Sequence, residues 1–316
     1  MALNHRESGS QRGLLVALGL TICIMLVELV GGILSNSMSL LGDAGHMLVD
    51  VLALGISLFA LNLAKRPATS ARTFGLHRAE ILAALANGTI LILVSFFVFY
   101  ASIQRLKSPP EIKSTLMIVI AIIGLIANLI GVILLRRDRH ANLNVKGAFL
   151  HIVGDTISSV GVIAAGIIVS TTGFRLADPI MAIIIGIIIL LGAVQLVRES
   201  TNILLESVPK NIDTDEVINT LKNIKGVKEI HDFHLWTITS GIYALSSHVM
   251  LDEEQINNAH EIIDLINREL KSKHGITHTT IQIEFERCDS CAQGLVCQIS
   301  RSAHEQKEGE QDTHES

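Results

Sequence analysis

Residues Ser39 to Leu63 read SLLGDAGHMLVDVLALGISLFALNL. A helix that crosses a bilayer needs about 20 mostly apolar residues, and this stretch meets that need while carrying Asp43, His46 and Asp50 in its first half. An ionisable side chain at the centre of a spanning helix costs about 2.5 to 3.5 kcal/mol on insertion scales, so its presence points to function. His46 and Asp50 are four residues apart. On a helix they share one face, with about 5 to 6 Å between their Cβ atoms, and can address one point in space.

The rest of the chain has the composition such a helix implies. Of 316 residues, 49% are hydrophobic and only 17% charged, and the mean hydropathy of +0.48 is that of a membrane protein rather than a soluble enzyme. Six apolar stretches are long enough to span, at about 14–34, 40–62, 79–103, 115–135, 147–170 and 177–197. Lys and Arg near helix ends cluster on the cytoplasmic side. Arg6, Arg12, Lys65, Arg66, Arg72, Arg78, Arg136, Arg137, Arg139, Lys146 and Arg198 fall on one side, against Arg105, Lys107, Lys113 and Arg175 on the other. Both termini are therefore expected in the cytoplasm. The net charge of −5 provides no basic field for nucleic acid.

The apolar runs end near residue 197, and the remainder of the chain is patterned like a water-soluble domain. A helix at about 213–222, strands at about 227–238 and 243–251, a helix at about 253–273 and a strand at about 277–286 give the order αββαβ. Ile281 and Ile283 alternate with Gln282 and Glu284, as a sheet with one face packed on helices requires. The expected fold class is thus an α-helical membrane protein with six transmembrane helices, plus a cytoplasmic α+β domain. The expected division is an N-terminal tail over 1–13, a transport domain over 14–200, a regulatory domain over 201–290 and a polar, acidic tail over 291–316 that is expected to be disordered.

The ionisable residues expected at membrane depth are Glu28, Asp43, His46, Asp50, His151 and Asp155, with Glu80 and Asp178 near helix ends. No Lys or Arg sits centrally to neutralise them, which points to a bound cation. The fifth span repeats the device of the second: in AFLHIVGDTISSVGV, His151 and Asp155 are again four apart, among Gly147, Gly154, Gly161, Gly166, Ser158 and Ser159, which let helices approach closely. Two imidazoles and two carboxylates make a four-coordinate set of the kind zinc accepts, whereas Mg and Ca favour all-oxygen shells. The spacing alone is weak, since His248 with Asp252 and His260 with Asp264 match it too. Membrane depth and duplication distinguish the first two pairs. Glu28, Asp43 and Asn128 are candidates to line the path or hold the ligands, and packing-level hydrogen bonds account for them equally well.

The stretches GGILSNSMSLLGDAGHMLVD, RTFGLHRAEILAALANG, AFLHIVGDTISSVGV and HDFHLWTITSG together resemble the cation diffusion facilitator family of divalent-metal/proton antiporters, of the cobalt-zinc-cadmium resistance type. The match runs from about Leu14 to Cys291. The resemblance implies a transport site of His46, Asp50, His151 and Asp155, with Zn²⁺ as substrate and Cd²⁺, Co²⁺ or Ni²⁺ as further cargo, and protons as the exchanged ion. It also implies a metallochaperone-like cytoplasmic domain that forms a homodimer and binds regulatory metal. His231, His248 and Glu284 match the family's metal-binding positions there. Cys288 and Cys291 form a CxxC pair that is either a further ligand pair or an unligated one. His278 is offset by one residue from a family histidine, and His77 is the lone histidine of the loop between the second and third spans. The loop after the fourth span lacks a histidine-rich insertion, which favours a prokaryotic plasma-membrane protein.

Two rivals come from other classes: a membrane-embedded metalloenzyme, in which such a site activates water, and a metal sensor that does not transport. The chain has no HExxH helix and no P-loop for an ATP-driven pump. Secondary active export of zinc remains the expected function.

Overall fold

The structure, a computed structural model, describes residues 2–64, 66–136 and 143–285, and Cys288, Cys291 and the tail over 291–316 lie outside the described residues. The chain divides into two compact units, Met1–Thr201 and Asn202–Ser316.

Among the described residues the first unit holds the helices α1 (Ala2–Ser35), α2 (Met38–Ala64), α3 (Ala79–Lys107), α4 (Ser114–Arg136), α5 (Leu143–Thr172) and most of α6 (Ala177–Leu204). Their order matches the six apolar stretches, but α1 begins at Ala2, well ahead of its apolar run. Breakers set the limits. Of the five prolines, Pro67, Pro109, Pro110 and Pro209 lie between elements and Pro179 lies in the first turn of α6, where a missing N–H costs nothing. Among the described residues, Ala79–Lys107, Ser114–Ile133, Ile152–Thr172 and Ala177–Leu204 are long and apolar enough to cross a membrane, and Gly19–Ser35 is a shorter apolar helix.

This unit is packed as lipid-embedded helices are. Large apolar side chains point outward, with Phe96, Phe97, Ile133, Ile188 and Leu191 all exposed, while Ser35, Ser95, Ser102, Asn128, Ser159, Ala121 and Ala165 are buried. Lipid tails are as apolar as leucine, so close packing of small residues and polar bonds must hold such helices together. Gly88 on α3 is one of the contacts: a Cβ there would lie 2.8 Å from Val197 Cγ2 and 3.2 Å from the Ala193 carbonyl oxygen of α6. Gly88→Val is therefore expected to push α3 off α6 at a cost of about 1 to 3 kcal/mol. A lowered unfolding temperature of the detergent-solubilised protein would show it, and an unchanged one would refute the contact.

The second unit holds α7 (Thr214–Lys222), β1 (Val227–Thr239), β2 (Ile242–Leu251), α8 (Ala259–His274) and β3 (His278–Glu284). Asp213 caps α7 by accepting from the amides of Asp215 and Glu216, and Gly275 ends α8 in the left-handed conformation at φ +68. The helix expected from residue 253 is instead a 3-10 turn over Glu253–Asn258 followed by α8. Asn257 and Asn258 close that turn, and Asn side chains compete with the backbone for hydrogen bonds in a helix interior. Asn258 Nδ2 donates to Gln255 Oε1 at 3.1 Å.

The sheet order is β1-β2-β3, with β1 and β2 antiparallel and β2 and β3 parallel, the latter joined through α8. One face carries Ile230, Phe233, Leu235, Leu245, Val249 and Leu251 onto Val217, Leu221, Ile266 and Leu270 of the helices. Ile230 and Phe233 are three residues apart, which in a regular strand would put them on opposite faces. A register shift between His231 and His234, with Asp232 at φ +48, resets the alternation. Such a bulge re-aims side chains beside a functional site, and here it leaves His231 on the face away from the helices.

Candidate metal sites

On α2, His46 Nε2 lies 3.2 Å from Asp50 Oδ2, the contact that a four-residue spacing on a helix produces. His46 lines a cavity of about 570 Å³ together with Asp43 of α2, Gly154, Asp155, Ser158 and Gly161 of α5, and apolar side chains of α3 and α6. Asp155 is buried, as are Asp43 and Glu28, and the three carboxylates interact electrostatically. Ser158 Oγ donates to Asp43 Oδ1 at 2.7 Å, tying α5 to α2 at the cavity wall. Gly154 has open space where a Cβ would be and lines the same cavity as Asp155. His151 lies on α5 one turn before Asp155, and its side chain lies outside the described residues.

A second constellation lies on the sheet face away from the helices. His231 and His248 are register partners across β1 and β2, with ring centroids 5.3 Å apart in an edge-on arrangement. Glu284 of β3 stands between them: Oε2 is 2.9 Å from His231 Nε2 and Oε1 is 2.9 Å from His248 Nδ1. The three residues offer ligand atoms within 4.8 Å of one another. His231 is almost fully buried, and its Nδ1 has no hydrogen-bond partner; nor does His248 Nδ1, in spite of its approach to Glu284. Two imidazoles converging on one carboxylate can hold a cation between them, and imidazole with carboxylate is a zinc-type donor set.

Comparison with known proteins assigns the chain to a family. The model of the cation efflux transmembrane domain matches residues 14–205, and that of the cation efflux protein cytoplasmic domain matches residues 209–286. The chain belongs to the cation efflux family.

This cation efflux protein is 42% identical to the cadmium, cobalt and zinc/H(+)-K(+) antiporter of Bacillus subtilis, over 90% of this chain and 93% of that one. It is 43% identical to the metal cation efflux system protein CzcD of Cupriavidus metallidurans, over 90% of both chains. With the zinc transporter ZitB of Escherichia coli it shares 37% identity over 89% of this chain and 90% of that one. It is accordingly an integral, multi-pass membrane transporter and not an enzyme, which sets aside the metalloenzyme alternative.

The remaining histidines of the cation efflux protein separate into different settings. His260 and Asp264 are 91% and 61% exposed and 3.9 Å apart, a solvated helix pair. His248 does not turn to Asp252, four residues on; it bonds across strands instead. His278 opens β3 in register with Ala244, and it and His77 are not in the cluster of His231, His248 and Glu284.

Sequence reasoning missed Asp232. Its Oδ1 is 3.1 Å from His234 Nε2 and its Oδ2 is 3.6 Å from His248 Nε2. His234 is thus Asp232's partner. A carboxylate on the far nitrogen of a ligating imidazole orients the ring and raises its basicity. The available signal was the run HDFH itself, with an Asp in a strand where left-handed backbone is tolerated best by Asn, Asp and Gly.

Proposed function

We propose that this protein exports Zn²⁺ from the cytoplasm in exchange for protons, with His46, Asp50, His151 and Asp155 as the transport site. The observation that carries the reading is the His46–Asp50 pair on α2, of which His46 lines the same cavity as Asp155 of α5. Imidazole nitrogen and carboxylate oxygen favour zinc and its neighbours Co²⁺, Ni²⁺ and Cd²⁺ over Mg²⁺ or Ca²⁺, and relatives are named for zinc, cadmium and cobalt.

The chemistry of exchange is set by the ligands. Carboxylates and neutral imidazoles bind metal only when deprotonated, so metal binding releases protons and protons displace metal. Imidazole changes charge between about pH 5 and 8, within reach of the pH difference across an energised membrane. Facing a neutral cytoplasm, the site takes Zn²⁺; facing a more acidic exterior, it gives Zn²⁺ up to protons and returns protonated. In this reading six spanning helices bring both termini to one side, and the Lys and Arg asymmetry supports a cytoplasmic position for that side. A plasma membrane of a prokaryote is the setting this reading implies.

The cytoplasmic domain, metallochaperone-like in this reading, binds Zn²⁺ through His231, His248 and Glu284 as a regulatory ligand and pairs with a second copy of the chain. The convergence of His231 and His248 on the shared Glu284 carboxylate supports that metal site. Cys288 and Cys291 come soon after β3 in sequence and are proposed as its supplementary ligands. The homodimer is supported by the match of residues 209–286 to the family's cytoplasmic domain.

The test is zinc uptake into inverted vesicles whose lumen is made acidic. Uptake is expected to stop when a protonophore collapses the gradient and to continue in potassium-free buffer. Uptake that tracks a potassium gradient alone would refute proton exchange, and zinc binding with no uptake would establish a sensor instead.

A further inference from the structure

The turn between α1 and α2 is fastened on both sides by groups that neither metal site uses. Asn36 there has a left-handed backbone at φ +59. Its carbonyl oxygen accepts from Arg105 Nη1 of α3 at 2.6 Å, and its Oδ1 accepts from Arg105 Nη2 at 3.0 Å. Its Nδ2 donates to the Glu111 carbonyl at 3.2 Å. On the other side stands Asp178, in the first turn of α6 and with no exposed surface. Asp178 Oδ1 accepts from Ser37 Oγ and Ser39 Oγ, each at 2.6 Å, and from the Ser39 amide at 3.1 Å, while Oδ2 accepts from the Met38 amide at 2.6 Å.

These four bonds go to the opening residues of α2. The first amides of a helix have no partner within it, and the helix dipole makes that end attractive to a negative charge. Most helices answer with a cap of their own, and Ser37 does bond the Leu40 amide at 3.3 Å. Here the carboxylate comes from another helix altogether. A buried carboxylate satisfied by four donors, two of them amides of one helix end, fixes that end in position and in rotation about its axis. The opposite sign is treated in kind: the Arg105 cation lies at the carbonyl end of α1.

We infer that Asp178 is a positioning residue for the transport site. At 1.5 Å rise per residue, His46 and Asp50 lie about 12 and 18 Å along α2 from Met38, so a rotation of the α2 terminus turns both ligands away from α5. Asp178 sets the register in which they meet His151 and Asp155. The α2 side of the site then moves only about this fastened turn.

This inference rests on the transport reading, and uptake by the native protein tests that reading separately. In vesicles in which native zinc uptake has been measured, Asp178→Asn is expected to raise the KM for zinc at least tenfold in protein that remains monodisperse in detergent. The amide keeps the shape but places a donor against donors. Moving the carboxylate across the interface, with Ser37→Asp combined with Asp178→Ser, is expected to bring KM back to within threefold of native. Loss of folding alone would not produce a KM shift that this exchange reverses. If Asp178→Asn does not accumulate, Ser37→Ala with Ser39→Ala removes two of the four donors and is expected to raise KM about threefold. A native KM in Asp178→Asn, or in the double alanine variant, overturns the inference, as does an exchange variant that folds and keeps the raised KM.

Discussion

Asp155→Ala is expected to lower zinc uptake into inverted vesicles, under an imposed pH gradient, to the level of vesicles lacking the protein. Asp155 is 3% exposed and shares its cavity with His46 and Asp43, so water does little to replace it there. Without Asp155 the proposed ligand set keeps only one carboxylate, Asp50, against the two charges of Zn²⁺. An opposed unit charge at about 4 Å is worth about 4 kcal/mol at an effective dielectric near 20, which is about a thousandfold in occupancy. The outcome separates a transport role from a packing role: alanine leaves a small polar cavity where Ser158 still holds Asp43, so the helix bundle is expected to persist. Uptake above a tenth of native would remove α5 from the transport site. Zinc bound at the cytoplasmic domain of the same variant serves as the check on folding.

The second large effect is expected at Glu284. Glu284→Gln keeps the side chain's shape but removes the charge that both His231 and His248 approach to 2.9 Å. A four-ligand zinc site binds with about 12 kcal/mol, or about 3 kcal/mol for each ligand, so the loss is expected to be at least about a hundredfold in affinity. The measurement is zinc competition against a chromophoric chelator on the full-length protein carrying Asp155→Ala, in which the cytoplasmic cluster dominates binding. Unchanged affinity in Asp155→Ala with Glu284→Gln would exclude Glu284 as a ligand. Asp232→Asn is a milder companion, because Asp232 lies 3.6 Å from the far nitrogen of His248; orienting carboxylates of this kind are worth about 10- to 100-fold.

The two sites differ in how much of them could be read from the chain. HMLVD and HIVGD repeat one spacing on two apolar runs, and helical geometry alone puts each pair on one face. The 3.2 Å contact of His46 with Asp50 needs nothing beyond one turn of α2. The cytoplasmic cluster is different: His231, His248 and Glu284 come from three strands, and periodicity within a strand does not say which strands are neighbours. Family resemblance supplied those residues, whereas Asp232 escaped because its part depends on a bulge, for which the Asp within the run HDFH was the one local signal. Asp178 escaped for a related reason. In sequence it is an acid at a helix start, where an acid ordinarily serves its own helix dipole, and only the packing of α6 against the α1–α2 turn shows that it serves α2 instead.

Composition and period were enough to determine that this chain has an apolar helical part and a separate α+β part, because hydrophobic length and alternation are properties of consecutive residues. They were also enough to single out two His–Asp pairs, since residues four apart on a helix meet whatever surrounds them. Tertiary structure alone decided which of the buried polar groups answer one another across helices and strands. Those contacts, Ser158 to Asp43, Asp178 to the first amides of α2, and Asp232 and Glu284 to the histidines, join residues distant in sequence or set in a bulge. Burial obliges each such group to find a partner, but only the packing of helices and strands says which partner it is.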